Sequence, residues 1–286
     1  ILISGCNGLI GSSLVEKLKA DTHVTLFGVS RLAKASIHTF QIDLSTDWDI
    51  KLLPDRMDVI IHLAQSEKFR DFPKSSKEVF NVNSVSTLKL LEYARESGVK
   101  KFIYASSGGI YGNGSDEFNE EEPIVLGNNL GFYLSTKFCS EVLVQNYSSF
   151  FDTDILRFFF VFGVNQKKDM LIPRLVHSVA KGLPIMLQGQ EGIKLNPICV
   201  SDAADAIIQC LNLKGNTRIN IAGNEILSLR QICETIGKYF KKEPKFTIEN
   251  SEPKNLIADI TKMKELLINP KIKFNEAIQK LIQNYE

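Results

Sequence analysis

A glycine-rich turn joins the first apolar run of the chain to its first helical pattern. Ile1-Leu2-Ile3 is too short for anything except a strand, and the motif Gly5-x-x-Gly8-x-x-Gly11 follows it at once. Gly5 permits a tight turn, Gly8 lets the backbone approach a pyrophosphate, and Gly11 lets the following helix pack closely on the strand. The motif therefore predicts a strand-turn-helix unit that binds a dinucleotide.

The predicted helix after this turn supplies the rest of the phosphate site. Its apolar residues Leu14, Val15 and Leu18 recur at helical spacing. Leu9 and Ile10 lie at its start, where free backbone amides and the positive end of the helix dipole favour phosphate groups. We therefore expect Leu9 and Ile10 to bind the cofactor together with the three glycines.

Strands and helices alternate through the first 160 residues. After the opening unit, the apolar pattern predicts further elements over 23–29, 57–64, 86–95, 101–106, 133–141 and 154–160. Continuous apolar strands joined by helices indicate an α/β fold with a doubly wound parallel Rossmann sheet. Ligands of such folds bind beyond the carboxyl ends of the strands, where the glycine turn, Ala64-Gln65 and Ser106-Ser107 fall.

The last part of the chain has a different texture. Proline and glycine residues punctuate short elements between positions 173 and 197, and amphipathic helices are predicted over 229–240 and 257–267. We expect a dinucleotide-binding domain over residues 1–160, to which 197–214 also belong, and a smaller C-terminal lobe formed mainly by 161–286. The cleft between the two parts is the predicted substrate site.

The charge balance and the cysteine pattern exclude several classes of protein. Lys and Arg number 34 against 33 Asp and Glu, so the net charge of +1 predicts no attraction to nucleic acid or to a membrane surface. The five cysteines are scattered without a C-x-x-C pair, which indicates reduced thiols and no metal site. No apolar run is long enough to span a membrane. We therefore expect a cytoplasmic protein with a small-molecule substrate.

Tyr133 and Lys137 lie one helical turn apart in Tyr133-Leu-Ser-Thr-Lys137. A phenol is a poor base at neutral pH, because its unperturbed pKa is about 10. An ammonium group at i+4 favours the phenolate and lowers that pKa. A serine of the preceding Ser106-Ser107 strand end can hold the alcohol or carbonyl that exchanges a proton with the tyrosine. The pattern predicts hydride chemistry on a carbon–oxygen bond.

These motifs, in this order, resemble the extended short-chain dehydrogenases/reductases, also called the NAD-dependent epimerase/dehydratase family. The resemblance covers nearly the whole chain and rests on Gly5-x-x-Gly8-x-x-Gly11, Asp43-Leu44, His62-Leu63-Ala64, Asn83, Ala105-Ser-Ser-Gly-Gly-Ile-Tyr-Gly112, Tyr133-x-x-x-Lys137, Leu156-Arg157 and Val200-Ser-Asp202. It implies that Tyr133 is the acid/base. It also implies that Ser107 binds the reacting sugar oxygen and that Lys137 binds the nicotinamide ribose as well.

The same resemblance implies further cofactor-binding residues. It places Asp43 and Leu44 at the adenine, Ala64 beside the cofactor backbone, and Asn83 among the residues that bind the cofactor. The family's catalytic helices often pair into a four-helix bundle, so the resemblance is compatible with a homodimer.

Ser30 and Arg31 stand at the end of the second predicted strand, where many NAD-dependent members place an aspartate. That aspartate accepts hydrogen bonds from both adenosine ribose hydroxyls. A hydroxyl and a guanidinium instead suit a 2′-phosphate, although Arg31 reads equally well as a solvated charge at a strand end. We therefore expect NAD or NADP as cofactor, with NADP slightly favoured.

Departures from the family pattern bear on the reaction. Gly108-Gly109 stand where the family's dehydratases carry an acidic pair, so dehydration is disfavoured. Phe160 stands where nucleotide-sugar epimerases carry an asparagine that contacts the diphosphate, and a later arginine is replaced around Lys194-Leu195-Asn196. The prediction of a nucleotide-sugar substrate therefore rests on the resemblance.

Three activities are left open by the residues. The first is an epimerase, in which hydride leaves a sugar carbon and returns to the opposite face, and this is the leading prediction. The second is an NADPH-dependent keto-sugar reductase. The third is a cofactor-binding regulator without turnover, which the intact set of Ser107, Tyr133 and Lys137 makes the weakest of the three.

Two other features receive structural interpretations. His62 ends an apolar run and is predicted to be a core histidine with satisfied hydrogen bonds. The acidic stretch from Asp116 to Glu122 is predicted to be a solvated loop before Pro123 and not a metal site.

Overall fold

A parallel sheet of seven strands forms the centre of the computed structural model, which describes residues 1–114, 117–125 and 130–283. In chain order these strands are β1 (Leu2–Ser4), β2 (Phe27–Ser30), β3 (His38–Gln41), β4 (Val59–His62), β5 (Lys101–Ser107), β7 (Asp152–Phe158) and β12 (Thr217–Ile221). Across the sheet they lie in the order β12-β7-β5-β4-β1-β2-β3. All neighbours pair in parallel. The strand order reverses direction beside β1, which is where such sheets bind ligands.

Helices cover both faces of this sheet. One face carries α1 (Leu9–Leu18) and α6 (Val200–Cys210). The other carries α2 (Ser76–Phe80), a π-helical turn (Asn81–Val85), α3 (Ser86–Glu96) and α4 (Gly131–Asn146). The doubly wound α/β fold predicted from the sequence is therefore confirmed.

Alternate residues of each strand pack into the apolar clusters on the two faces of the sheet. Ile3 and Ile61 pack with the residues of α1 and α6, whereas Leu2 and Ile60 pack with those of α3. All four side chains are fully buried. Since successive side chains of a strand point to opposite faces, strands that are covered on both sides read as continuous apolar runs.

A smaller lobe, formed by segments before and after β12, has a separate apolar cluster. Its elements are β8 (Val161–Phe162), α5 (Leu171–Lys181), β9 (Pro184–Gln188), β10 (Lys194–Leu195), β11 (Ile198–Cys199), β13 (Leu227–Ser228), α7 (Leu229–Phe240), β14 (Lys245–Glu249) and α9 (Phe274–Gln283). Ile172, Ile232 and Ile278 form part of its core. The smaller C-terminal lobe is thus present, while the last strand of the central sheet, β12, lies beyond residue 214.

Three short elements complete the described chain: β6 (Glu117–Phe118), β15 (Ile257–Ala258) and α8 (Thr261–Leu266). The predicted helix over 257–267 is therefore wrong at its start, because Ile257 and Ala258 pair with β6. Asp259 then accepts a hydrogen bond from Thr261 N (2.8 Å), which helps to begin the helix there.

Two other predictions need correction. The strand predicted over 23–29 begins only at Phe27, because Asp21 accepts hydrogen bonds from the backbone of His23 (2.9 Å) and Val24 (3.2 Å) in a turn. The acidic stretch is not solvated throughout, since Glu120 is buried and accepts a hydrogen bond from Asn220 N (2.7 Å). Asp116, in the same stretch, lies outside the described residues.

Candidate active site

The glycine turn brings three backbone segments together at the carboxyl end of β1. Gly5 has a φ of +72°, and a Cβ atom there would lie 2.9 Å from Ala64 N. A Cβ atom on Gly11 would lie 2.2 Å from Gly5 O, so only glycine lets α1 pack this closely on the turn. A Cβ atom on Gly8 would meet only Gly5 O, at 3.2 Å. Of the three glycines, Gly8 is therefore the one at which the fold best tolerates a side chain.

The start of α1 leaves backbone donors for a ligand. The helix begins at Leu9, and its N-cap residue, Gly8, has no side chain to cap it. The first amides of a helix have no partner within the helix, so those around Leu9 and Ile10 are suited to an anion. Both residues have partly buried side chains, and their role at a phosphate site stays a prediction.

Further predicted cofactor residues lie at the ends of β2 and β3. Asn7 Nδ2 donates to Ser30 Oγ (3.1 Å) and to Leu32 O (2.8 Å), which ties the glycine turn to the segment after β2. Arg31, more than half exposed, forms an ion pair with Glu67 (3.1 Å). The same Glu67 oxygen lies 2.7 Å from Lys167 Nζ.

Asp43 and Leu44 follow β3 at the same edge of the sheet. Asp43 accepts hydrogen bonds from Ser45 N (2.9 Å) and Ser45 Oγ (2.8 Å). These bonds to the charged form lower the pKa of Asp43. Leu44 is buried. The carboxylate is therefore held ionised beside the predicted adenosine site.

Asn83, predicted to bind the cofactor, is buried, and both ends of its side-chain amide are used within the protein. Its Oδ1 accepts a hydrogen bond from Ser66 N (2.9 Å), and its Nδ2 donates to Thr136 Oγ1 (2.9 Å). The side chain therefore joins the segment after β4, which includes Ala64, to the helix α4.

The predicted catalytic residues come from β5 and α4. Ser107 is the last residue of β5, and its Oγ accepts a hydrogen bond from Gly109 N (3.2 Å). Its hydroxyl proton is thereby left to donate to a ligand. A Cβ atom on Gly109 would lie 2.9 Å from Leu134 Cδ2 and 3.4 Å from Ser107 Oγ. The turn after Ser107 therefore packs against the first turn of α4, which carries Tyr133.

The hydroxyl of Tyr133 donates to Gln65 Oε1 (2.8 Å). Burial raises the pKa of Tyr133 above its usual value. Lys137 is buried, its Nζ donates to Ala105 O, and it lies 4.5 Å from the centre of the Tyr104 ring. The expected lowering of the pKa of Tyr133 by Lys137 is therefore not found, since burial raises that pKa and Lys137 Nζ is directed at a carbonyl oxygen.

Burial also acts on Lys137 itself and lowers its pKa to about 7, against an opposing effect of the Glu141 carboxylate. Glu141 lies one turn further along α4 and forms a buried bidentate ion pair with Arg157 (3.1 and 2.8 Å). Burial thus brings the pKa of Lys137 close to neutral pH.

Gln65 and Phe69 contact Tyr133, although neither contact is predicted from the sequence. The Phe69 ring lies 5.0 Å from the Tyr133 ring, centre to centre. The one signal for Gln65 is its position directly after the strand end His62-Leu63-Ala64. Because Gln65 and Phe69 are far from Tyr133 in the sequence, only the fold brings them into contact.

The glycines after Ser107 have a packing reason. A Cβ atom on Gly108 would lie 2.2 Å from the ring of Phe159, so an acidic side chain does not fit there without repacking. Phe160, two residues after β7, has a φ of +45°, a left-handed conformation that L side chains other than Asn rarely adopt. Within the described ranges, no group of three or more His, Cys, Asp or Glu could hold a metal ion.

Comparison with known proteins identifies relatives over almost the whole chain. The sequence model of the NAD dependent epimerase/dehydratase family matches residues 1–222. The chain is 28% identical to UDP-glucuronate 4-epimerase of Thermodesulfobacterium geofontis, over 98% of this chain and 94% of that protein. It is 26% identical to dTDP-4-dehydro-6-deoxyglucose reductase of Escherichia coli, over 99% of this chain and 96% of that protein.

A solved structure with the same fold is UDP-glucuronic acid 4-epimerase from Bacillus cereus, in complex with UDP-glucuronic acid and NAD. Its TM-score against this chain is 0.88 at 25% identity, over 99% of this chain and 98% of that one. In the part of this chain that the structure describes, no helix is both long and apolar enough to cross a membrane.

Proposed function

Since the chain belongs to the NAD-dependent epimerase/dehydratase family, we propose that it is an NAD(P)-dependent enzyme that acts on a nucleotide sugar by hydride transfer. The leading activity is epimerisation. The observation that carries the proposal is that Ser107 ends β5 and that Tyr133 contacts Gln65, just beyond β4, at the carboxyl ends of the strands where the glycine turn follows β1. This shared location supports a site in which acid/base and cofactor-binding groups act together.

A bound nicotinamide cofactor would take up and return the hydride. The residues of the chain bind the substrate and move its proton. The Ser107 hydroxyl, whose oxygen already accepts from Gly109 N, donates to the reacting oxygen. Tyr133 removes the proton of the sugar alcohol or returns it to the keto oxygen. Lys137, whose Nζ donates to Ala105 O in the structure, would hold a ribose hydroxyl of the cofactor, and its ammonium form would stabilise the phenolate.

Two observations rank the reactions. The relative from Thermodesulfobacterium geofontis and the Bacillus cereus structure are 4-epimerases, which supports epimerisation of a UDP-sugar. Dehydration is disfavoured because Gly108 and Gly109 carry no acid, and the ring of Phe159 occupies the space beside Gly108. The second candidate is a keto-sugar reductase, which the relation to the Escherichia coli reductase supports.

The glycine turn and the start of α1 fit the diphosphate of NAD or NADP. NAD is the cofactor in the complex of the Bacillus cereus relative. A preference for NADP rests on Ser30 and Arg31 and stays a prediction. A cytoplasmic location also stays a prediction. The five free cysteine thiols support it. A homodimer stays a prediction as well.

Product analysis separates the two activities. The purified protein is incubated with UDP-glucose, UDP-glucuronate or a dTDP-4-keto-6-deoxy sugar, with each cofactor, and the sugars are analysed by NMR. An epimerase forms the 4-epimer without net consumption of cofactor, whereas a reductase consumes one NAD(P)H for each keto group. Absence of both products with every substrate and cofactor would contradict the proposal.

The matched variants are Tyr133→Phe and Tyr239→Phe, the second of which removes an exposed phenol that bonds Asn275 O. Tyr133→Phe should lower turnover by about 10²–10⁴-fold, as expected for a lost general acid/base, and leave cofactor affinity nearly unchanged. Tyr239→Phe should behave as the native protein. Full activity of Tyr133→Phe would refute the role of this residue.

A further inference from the structure

We propose that Gln65 is a further catalytic residue, whose side-chain amide hydrogen-bonds the Tyr133 hydroxyl in both of its protonation states. The proposal rests on the proposed function, in which Tyr133 is the acid/base. In the structure, Tyr133 Oη donates to Gln65 Oε1 at 2.8 Å. Gln65 therefore contacts the atom that exchanges the substrate's proton.

The backbone on both sides of Gln65 is fixed. Ala64 N donates to Ser4 Oγ (3.3 Å), at the end of β1. Ser66 N donates to Asn83 Oδ1 (2.9 Å), and the Ser66 residue is buried. The exposed side chain of Gln65 thus extends from a rigid strand end towards α4.

The same Asn83 side chain fixes the other partner. Its Nδ2 donates to Thr136 Oγ1 (2.9 Å), and that hydroxyl donates in turn to the backbone oxygen of Tyr133 (2.7 Å). One buried amide therefore holds both the segment that carries Gln65 and the helical turn that carries Tyr133. The Phe69 ring, 5.0 Å from the Tyr133 ring, adds a second contact from the Gln65 segment.

A carboxamide suits this position because it both accepts and donates. The neutral phenol donates to the amide oxygen, as observed. When Tyr133 protonates a keto oxygen, its O–H bond breaks and the O–H bond of the sugar alcohol forms. The phenolate left behind needs a donor, and a half-turn of the amide about its last torsion presents the Gln65 N–H. Gln65 itself gains and loses no proton.

In the part of the chain that the structure describes, the hydrogen bond of the Tyr133 hydroxyl is made to Gln65. Lys137 Nζ is directed at Ala105 O, and burial of Tyr133 disfavours its charged form. The alternative interpretation is that Gln65 only occupies the place of the substrate oxygen until the substrate binds. The two interpretations predict opposite changes when the amide is removed, because a group that only accepts from the phenol stabilises the neutral form alone.

The experiment compares Gln65→Leu and Gln65→Glu with the native protein, and Gln209→Leu, on the exposed face of α6, is the matched control. The ultraviolet absorbance of tyrosinate is titrated with cofactor bound, and subtraction of the Tyr133→Phe titration isolates Tyr133. We expect the pKa of Tyr133 to rise in Gln65→Leu and to rise further in Gln65→Glu, whose carboxylate cannot donate. Gln209→Leu should not change it.

The pH profile of kcat/KM gives the second measurement. The acid limb should move to higher pH in both Gln65 variants, with turnover at neutral pH lower by about 10- to 100-fold, as expected for a lost hydrogen bond to a charged group. Circular dichroism and cofactor titration verify that the variants are folded. An unchanged or lowered pKa of Tyr133 in Gln65→Leu, or an unmoved acid limb, would overturn the proposal.

Failure of this proposal is distinguishable from failure of the proposed function. If Tyr133→Phe is fully active, the acid/base assignment falls and the role of Gln65 falls with it. If Tyr133→Phe is inactive while Gln65→Leu retains the native titration and pH profile, only the role of Gln65 is refuted.

Discussion

His62 Nδ1 and Ser4 Oγ lie 2.5 Å apart in the interior, at the carboxyl ends of the neighbouring strands β4 and β1. Thr87 Oγ1 donates to Asn83 O (2.6 Å), so it accepts from His62 Nε2 (2.9 Å). The tautomer inferred from this chain carries its proton on Nε2 and accepts at Nδ1 from the Ser4 hydroxyl. Ser4 Oγ in turn accepts from Ala64 N (3.3 Å). A neutral histidine thus holds the strand ends beneath the cofactor cleft.

This burial predicts a loss of stability in acid. Desolvation lowers the pKa of His62 to about 3, below the value of about 6.5 in an unfolded chain. Between these values the unfolded chain binds the extra proton, so acidification favours unfolding. From pH 6.5 to 5, the free energy of unfolding of the native protein should fall, relative to His62→Gln, by about 1.6 kcal/mol. Urea denaturation of both proteins at both pH values measures this difference in the free energy of unfolding. The same change with pH in the two proteins would contradict the prediction.

The glycine turn allows a paired test of packing and binding. Gly8→Ala adds a Cβ atom 3.2 Å from Gly5 O, whereas Gly11→Ala adds one 2.2 Å from the same oxygen. We expect Gly11→Ala to lower the free energy of unfolding by about 1–3 kcal/mol through overpacking. Gly8→Ala should remain folded but lose about tenfold or more in dinucleotide affinity, because its methyl group occupies the pyrophosphate space.

Thermal denaturation and cofactor titration of both variants give these two quantities. Unchanged cofactor affinity in a folded Gly8→Ala protein would contradict a role of the glycine motif in dinucleotide binding. Equal stability of the two variants would contradict the role assigned to Gly11 in helix packing.

The buried Lys137 predicts that the stability of the protein also depends on pH in the neutral to alkaline range. Its folded pKa of about 7 lies below the value of about 10.4 in an unfolded chain. Between these values the unfolded chain binds more protons, so the free energy of unfolding rises with pH. From pH 7 to 9 the unliganded native protein should gain up to about 1.4 kcal/mol per pH unit relative to Lys137→Met. Denaturation curves without cofactor test this, and a constant difference between the proteins would refute the neutral buried lysine.

Elements whose apolar pattern is local and complete could be predicted from the sequence. The helix predicted over 229–240 is α7 (Leu229–Phe240), because its amphipathic pattern and its Ser228 capping box both lie within the segment. The strand predicted over 101–106 is β5, one residue longer. By contrast, the prediction over 257–267 failed because β6, more than a hundred residues away, pairs with its first two residues.

The candidate site shows the same division. The Tyr133-x-x-x-Lys137 spacing places both residues on α4, as expected from the sequence. The hydrogen bond between Tyr133 and Gln65 joins residues 68 positions apart, and its position depends on the buried Asn83 amide. The direction of Lys137 towards Ala105 O likewise depends on the packing of α4 against β5. Such contacts are set by the assembled sheet and not by local spacing.

The ion pair between Arg31 and Glu67 bears on the choice of cofactor. A 2′-phosphate carries close to two negative charges, which a guanidinium meets with charge-assisted hydrogen bonds, whereas a ribose hydroxyl offers it little. Glu67 competes for the same guanidinium from 3.1 Å. An exposed ion pair is worth only about 0–1 kcal/mol, less than the roughly 1.5–3 kcal/mol of a hydrogen bond to a charged group. We therefore expect the phosphate to displace Glu67, and NADP(H) to bind at least as tightly as NAD(H).

Arg31→Ala should weaken NADP(H) by about 1.5–3 kcal/mol and leave NAD(H) nearly unchanged. Glu67→Gln should strengthen NADP(H), because Arg31 loses its competitor, while the control Glu234→Gln, which removes an exposed acid of α7, should change neither cofactor. Calorimetric titration of both cofactors against the four proteins measures these affinities. A preference of about tenfold for NAD(H) in the native protein, or equal weakening of both cofactors by Arg31→Ala, would refute the 2′-phosphate site. That result would also favour the epimerase over the reductase, since an epimerase regenerates its cofactor and has no need of NADPH.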